Sequence, residues 1–183
     1  MRRFIARGHE HGLAVLFDVV YNHIGNDDNP LWNWDIYHRL GDHGEYLFPP
    51  HPTDWGPGPA FHKPPVRDFF VENTFIFFEE YQIDGLRFDA TRVIESNREP
   101  DNNGWKFLQE LTWRIREQFP EKYLIAEHLE DHDTIVRDAG MNATWFAATH
   151  HEFQRAAQGE APINKLKAFL GKDFGDGHNY TNQ

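Results

Sequence analysis

Three short apolar runs constrain this chain most, because each of them ends on an acidic side chain. Residues 13–17 lead into Asp18, residues 83–88 lead into Asp89, and residues 123–126 lead into Glu127. Apolar runs of this length are typical of strands that are buried on both faces, as they are in parallel sheets. We therefore predict three parallel strands, with an acid near the carboxyl end of each.

Helical periodicity lies between and after these runs. The segment 66–81 places Phe70, Phe77, Phe78 and Tyr81 on one helical face, and the segment 105–119 does the same with Leu108, Leu111, Ile115 and Phe119. Weaker patterns predict helices over 142–158 and 163–170. Strands that alternate with helices predict an α/β fold with a parallel sheet. The long connection 24–64 is rich in Pro, Gly and Trp, and loops of that length are usually functional when they are ordered.

Composition limits the partners that this chain can have. The 183 residues include 18 basic and 29 acidic side chains, a net charge of −11, which argues against nucleic acid and anionic membrane surfaces as partners. Cysteine is absent, which excludes disulfides and thiolate metal sites and fits a reducing compartment. No signal segment or membrane span is recognisable, so we expect a cytoplasmic protein without a membrane partner.

The acids at the strand ends suggest a catalytic site. In parallel α/β folds the carboxyl ends of the strands carry the active site. Alternation along the second strand places Arg87 and Asp89 on one face, with Leu86 and Phe88 facing the helix layer. Arg87 would favour an ionised, well-oriented Asp89, which is what a nucleophile needs.

Glu127 on the neighbouring strand would then be the proton donor. Retaining glycosidases use two carboxyl groups about 5–5.5 Å apart, and adjacent strands are separated by about 4.8 Å. A structural ion pair at Arg87–Asp89 and a surface acid at Glu127 are the alternative. The occurrence of all three acids at strand ends favours the catalytic interpretation.

The motifs at 18–23 (DVVYNH), 85–90 (GLRFDA) and 125–127 (IAE) resemble the first three signature regions of the alpha-amylase superfamily of glycoside hydrolases. In that superfamily these regions end barrel strands three, four and five, in this order. The resemblance implies a partial (β/α)8 TIM barrel, with residues 1–183 forming one partial catalytic domain and residues 24–64 forming a long active-site loop.

The resemblance also implies roles for individual residues. Asp89 would be the nucleophile, Glu127 the general acid/base, and Arg87 the group that orients Asp89. His23 would hydrogen-bond the sugar hydroxyls, and Asp18 would support the site.

The remaining assignments are weaker. We expect no cofactor, although Asn22 matches a position that binds calcium in many amylases, and the oxygen-rich segment 26–29 is better explained as a solvated turn. Trp32, Trp34 and Trp55 would either stack on glucose rings or pack the loop onto the barrel rim. His128 would line the site or point outward. The histidines at 9, 11, 150 and 151 lack the spacing of a metal site and are expected to be structural or exposed.

Within the superfamily, segments 53–57 and 66–73 look most like glycogen branching enzymes and maltooligosyltrehalose trehalohydrolases. This implies a retaining enzyme that acts on an α-glucan or maltooligosaccharide, cleaving or transferring α-1,4-glucosidic bonds as a branching enzyme does. Trehalohydrolase or alpha-amylase-type hydrolysis is the first alternative. Thr91-Arg92 stands where amylases usually have Lys-His.

The fourth signature region of the superfamily, a His-Asp pair after strand seven, is not found in this sequence. We therefore expect a chain that holds about strands three to five and is inactive by itself. A non-catalytic glucan-binding protein or inactive remnant is the second alternative. No oligomeric state is predicted.

Overall fold

The computed structural model describes residues 1–25, 52–96, 100–129, 133–145, 147–160, 164 and 179–181. The helices are α1 (Arg2–Glu10), α2 (Pro64–Glu79), α3 (Thr91–Glu95), α4 (Asn103–Gln118), α5 (Thr134–Arg137) and α6 (Ala147–Ala157), with a 3-10 turn at Pro100–Asn102. The strands are β1 (Leu16–Val19), β2 (Pro52–Thr53), β3 (Gly56–Pro57), β4 (Gly85–Phe88), β5 (Tyr123–Ala126), β6 (Ala143–Trp145) and β7 (Asn179–Thr181).

One parallel sheet organises the molecule. Its strand order is β1-β4-β5-β6-β7, and β2 and β3 form a separate antiparallel pair. Each strand of the large sheet pairs in parallel with the next one along it. This arrangement confirms the predicted α/β fold, and it brings the carboxyl ends of all five strands to one edge.

The three predicted strands and the two main predicted helices are all present. The prediction of a helix over 142–158 was wrong at its start, because Ala143–Trp145 forms β6. Its backbone pairs with β5, with Ala143 opposite Ile125, and the helix α6 begins only at Ala147. The helix predicted over 163–170 lies outside the described residues apart from position 164, and β7 was not predicted.

Burial on both faces, which was predicted for all three strands, holds only for β4. In β1 the side chains of Leu16 and Asp18 are exposed, and in β5 Tyr123 is exposed. Leu16 and Asp18 lie on the same face of β1, which within the described residues is at the edge of the sheet and pairs only with β4.

The core lies between the sheet and the helices α2 and α4. Leu86 and Phe88 are fully buried in it, which confirms the predicted outward orientation of these two side chains. Leu108, Leu111 and Ile115 are the buried face of α4, as predicted. The buried face of α2 differs from the predicted one. Phe70 and Phe78 are buried as predicted, but Phe77, and Tyr81 after the end of the helix, are only partly buried and pack against Phe17. The other buried residues of α2 are Val66, Val71, Thr74 and Phe75.

No helix in the described part of the chain is long and apolar enough to cross a membrane.

Candidate active site

Arg87 lies at the centre of the site. It projects from β4 and contacts a carboxylate from each of three consecutive segments at the carboxyl edge of the sheet. Its Nη1 is 2.8 Å from Asp89 Oδ1 and 3.6 Å from Asp18 Oδ2, and its Nη2 is 2.8 Å from Glu127 Oε2. Parallel pairing explains this convergence, because the register sets Asp18 beside Arg87 and Arg87 beside Ile125.

An aromatic ring also packs against the Arg87 guanidinium. The Trp145 ring at the end of β6 lies 4.0 Å from Arg87 Cζ, a close cation–π contact. The Arg87 side chain is only 12% exposed. Its Nε is buried and has no hydrogen-bond partner within the described residues. The planar group therefore has one orientation, with its two Nη atoms directed at two different carboxylates.

Asn22 fixes the second oxygen of Asp89. It is buried, and its Nδ2 donates to the backbone oxygen of Asp89 at 2.7 Å and to Oδ2 at 3.0 Å. Both oxygens of the Asp89 carboxylate are therefore oriented, one by Arg87 and one by Asn22.

His23 lies beside this pair. Its Nδ1 donates to Asn22 Oδ1. Burial lowers the pKa of His23, and the negative charge of Asp89 partly offsets that effect. At neutral pH the imidazole is therefore uncharged, and it is suited to exchange hydrogen bonds with hydroxyl groups.

Glu127 is held at its side chain and at its backbone. Its Oε2 accepts from Arg87 Nη2 and from the Ala90 backbone N–H at 2.9 Å. Both of these contacts end on Oε2 and neither on Oε1. Its backbone oxygen accepts from Thr91 N at 2.9 Å and Thr91 Oγ1 at 3.0 Å.

His128 does not line the open side of the site. It is 1% exposed and lies behind Glu127, where its Nδ1 is 3.1 Å from Thr91 Oγ1 and its Nε2 is 3.5 Å from Glu95 Oε2. The predicted alternatives were a side chain that lines the site and one that points outward, and the structure shows neither.

Trp55 is the one loop tryptophan within the described residues. It is 54% exposed, in the turn between β2 and β3, and its ring centroid is 5.8 Å from that of His23. Sugar stacking by this ring stays a prediction. Trp32, Trp34, the segment 26–29 and most of the predicted active-site loop lie outside the described residues.

The described residues contain no group of three or more His, Asp or Glu side chains that could hold a metal ion. The Asn22 Oδ1 atom, which would bind calcium, accepts a hydrogen bond from His23. Calcium binding at Asn22 therefore stays a prediction, and it requires His23 to turn away. His9 bonds Asp84 at the opposite edge of the sheet, and His150 and His151 are exposed on α6.

Sequence reasoning missed Trp145 and the contacts made by Thr91 and His128. Trp145 was assigned to a helix, although strand–helix alternation would place a further strand after β5 and its following helix α5. Nothing in the local sequence indicates that Thr91 reaches across to the next strand.

The fold and this edge of the sheet define a (β/α)-barrel type of protein, with two oriented carboxyl groups on adjacent strands. Solved structures of similar fold include a putative alpha amylase from Salmonella typhimurium, at 29% identity and a TM-score of 0.68 over 87% of this chain and 26% of that one. The cyclic alpha-maltosyl-(1→6)-maltose hydrolase of Arthrobacter globiformis has a TM-score of 0.71 at 19% identity, over 92% of this chain and 40% of that one.

Curated proteins that are similar in sequence are also enzymes named for α-glucans or maltooligosaccharides. A malto-oligosyltrehalose trehalohydrolase from Arthrobacter ramosus is 30% identical over 87% of this chain and 27% of its own length. A 1,4-alpha-glucan branching enzyme from Prochlorococcus marinus subsp. pastoris is 30% identical over 82% of this chain and 22% of its own. No protein-family model matches. The chain belongs to the alpha-amylase superfamily, and it spans about a quarter of the length of these curated relatives.

Proposed function

We propose that this chain supplies the nucleophile and the acid/base of a retaining enzyme that acts on α-glucans. The single observation that carries the proposal is the bridge made by Arg87, whose two Nη atoms each lie 2.8 Å from one of the two carboxylates, Asp89 and Glu127. Retaining glycosidases need two such carboxyl groups close together but in different roles.

The proposed reaction gives Asp89 and Glu127 different roles. Asp89 Oδ attacks C1 of a glucosyl unit while Glu127 gives its proton to the departing glycosidic oxygen, which yields a glycosyl ester on Asp89 and a shortened glucan. An incoming hydroxyl group then loses its proton to Glu127 and attacks C1, which releases the Asp89 carboxylate. His23 and Trp55 would bind the sugar, by hydrogen bonding and by ring stacking respectively.

The acceptor decides which product forms. Transfer to a glucan hydroxyl would create a branch, as in a 1,4-alpha-glucan branching enzyme, and this is our proposal for the whole protein. Hydrolysis that releases trehalose is the second candidate, since curated relatives of both names are 30% identical to this chain. Iodine staining that falls at a constant number of reducing ends supports branching, whereas free trehalose from a trehalose-capped maltooligosaccharide supports the second candidate.

The test uses the protein expressed from its complete coding sequence. We expect Asp89→Asn and Glu127→Gln each to lower kcat on an α-glucan by at least about 100-fold, with an unchanged circular dichroism spectrum. Asp68→Asn is the matched control, because this exposed carboxylate also pairs with an arginine but is carried by helix α2 and contacts none of the strand-end residues in the described ion pairs.

Full activity in either site variant would refute the assigned roles. A wild-type protein that binds glucan but turns over none would favour the alternative of a non-catalytic glucan-binding protein or remnant.

A further inference from the structure

The segment that follows Asp89 reaches across to the neighbouring strand end and binds Glu127 at three points. Ala90 N donates to Glu127 Oε2, and Thr91 donates through its N and its Oγ1 to the Glu127 backbone oxygen. Ala90 itself has left-handed backbone angles, with a φ of 41° and a ψ of 52°. An alanine rarely adopts this conformation, and here the turn directs two successive N–H groups toward Glu127.

The proton positions around Thr91 follow from hydrogen-bond chemistry. A carbonyl oxygen only accepts, so the Thr91 hydroxyl proton is donated to Glu127 O. The same hydroxyl oxygen must then accept from His128 Nδ1, which lies 3.1 Å away, so His128 carries a proton on Nδ1. Thr91 and His128 are both almost completely buried, which makes this hydrogen-bonding arrangement costly to change.

The series of contacts that begins at Thr91 extends through His128 to Glu95, the last residue of α3. His128 Nε2 lies 3.5 Å from Glu95 Oε2, and Glu95 also pairs with Arg92. Helix α3 is itself held tightly, because Gly104 of α4 approaches it so closely that a Cβ there would be 1.7 Å from the Ile94 oxygen. Thr91 and Arg92 of α3 both take part in these contacts.

We propose that Thr91, together with His128 behind it, is a positioning device that sets the acid/base Glu127 relative to the nucleophile Asp89. The inference rests on the proposed function and deepens it, since it concerns the same site. Neither residue touches the reacting atoms. Thr91 holds the Glu127 backbone from the segment that carries Asp89, and His128 holds the Thr91 hydroxyl in its donating orientation.

The test compares isosteric variants in the protein expressed from its complete coding sequence. Thr91→Val keeps the shape but removes the hydroxyl, and Thr91→Ser keeps the hydroxyl. We expect Thr91→Val to lower kcat on a maltooligosaccharide by about tenfold or more, with KM within about twofold, because a small displacement of a catalytic group is costly. Thr91→Ser should stay within about threefold of the wild type.

A second substrate separates positioning of the acid from a general structural effect. Maltosyl fluoride releases fluoride, which needs no proton from Glu127 when the ester on Asp89 forms. The first-turnover rate of fluoride release should therefore stay within about threefold of the wild type in Thr91→Val. An equal loss on both substrates, an unchanged kcat on the glucan, or a Thr91→Ser variant as impaired as Thr91→Val would overturn the proposal.

Two substitutions at His128 provide an independent test if Thr91→Val does not fold. His128→Asn can place an amide N–H near the Nδ1 position, whereas His128→Leu cannot donate, so only the leucine variant should show the substrate-dependent loss. Failure of the proposed function has a different result, namely full activity in Asp89→Asn or Glu127→Gln. Those two variants are measured alongside.

Discussion

Two arginines in this molecule each face three carboxylates, and the two clusters differ in almost everything else. Arg87 contacts Asp18, Asp89 and Glu127 at distances of 2.8–3.6 Å. Arg114 contacts Asp68, Glu72 and Glu110 at distances of 2.6–3.7 Å. A local count of charges would not distinguish the two clusters.

The structural elements that carry the partner carboxylates do distinguish the two clusters. The partners of Arg87 come from the ends of three strands and the arginine packs on Trp145, whereas the partners of Arg114 come from the outer faces of α2 and α4. The two nearest partners of Arg87, Asp89 and Glu127, are 28% and 16% exposed, whereas the two nearest partners of Arg114, Asp68 and Glu72, are 57% and 62% exposed. The more distant partners, Asp18 and Glu110, are 70% and 32% exposed. Exposed pairs contribute little to stability and are screened by salt, while pairs sheltered from water are costly to break.

The comparison teaches that the backbone elements carrying the partner carboxylates decide how firmly an arginine is held. At the strand ends the paired backbones of β4 and β5 place Asp89 and Glu127 side by side, and Arg87 contacts both at 2.8 Å. On the helix faces the carboxylates are free to take water instead of Arg114.

The largest expected effect is on activity. In the protein expressed from its complete coding sequence, Arg87→Lys should lower kcat by about 100-fold, because one ammonium group cannot bridge two carboxylates as a planar guanidinium does. Arg114→Lys should leave kcat within about twofold. Steady-state assays on an α-glucan measure both, and equal losses would show that the two clusters do not differ in function.

The next effect is on stability. Arg87→Ala leaves two sheltered carboxylates without their partner and should lower the free energy of unfolding by about 2–4 kcal/mol, whereas Arg114→Ala should cost about 1 kcal/mol or less. Urea unfolding measures both values. Repeating it in 1 M NaCl should shrink the Arg114 effect more than the Arg87 effect, and the reverse order would contradict the assigned burial.

A smaller effect is expected at the aromatic support. Trp145→Ala should destabilise the protein and lower kcat, with a cation–π contribution of about 0.5–2 kcal/mol, and Trp145→Phe should recover part of both. Trp113, which is 62% exposed on α4, is the matched control, and Trp113→Phe should change neither quantity. A Trp145→Ala variant with wild-type stability would show that Arg87 does not depend on the ring.

The smallest effect concerns His23. Burial lowers its pKa and Asp89 partly offsets this, so Asp89→Asn should lower the pKa of His23 further, while Asp68→Asn should leave it unchanged. Because the unfolded chain binds the proton more readily than the folded one, His23 makes stability fall as the pH falls through the interval below the ordinary value of about 6.5. NMR titration of the imidazole measures both variants, and a rise in Asp89→Asn would reverse the assigned sign.

The sequence predicts the placement of the strand-end cluster better than that of the helix-face cluster. Asp18, Asp89 and Glu127 follow apolar runs, and because parallel strands end at one edge, their convergence on Arg87 could be expected before any coordinates. The Arg114 cluster could not, since it depends on how α2 and α4 lie against each other.

The sequence by itself determined three of the five parallel strands, the two main helices and which carboxylates share an edge, because alternation and apolar periodicity are local properties of the chain. Only the tertiary structure decided that Trp145 lies on Arg87, that Asn22 binds Asp89, and that Thr91 binds Glu127. Asn22 and Asp89 are 67 residues apart in the chain, and Thr91 and Glu127 are 36 residues apart. These contacts depend on the strand register and on one left-handed residue, Ala90. Such contacts form only when the strands have paired, so no local pattern encodes them.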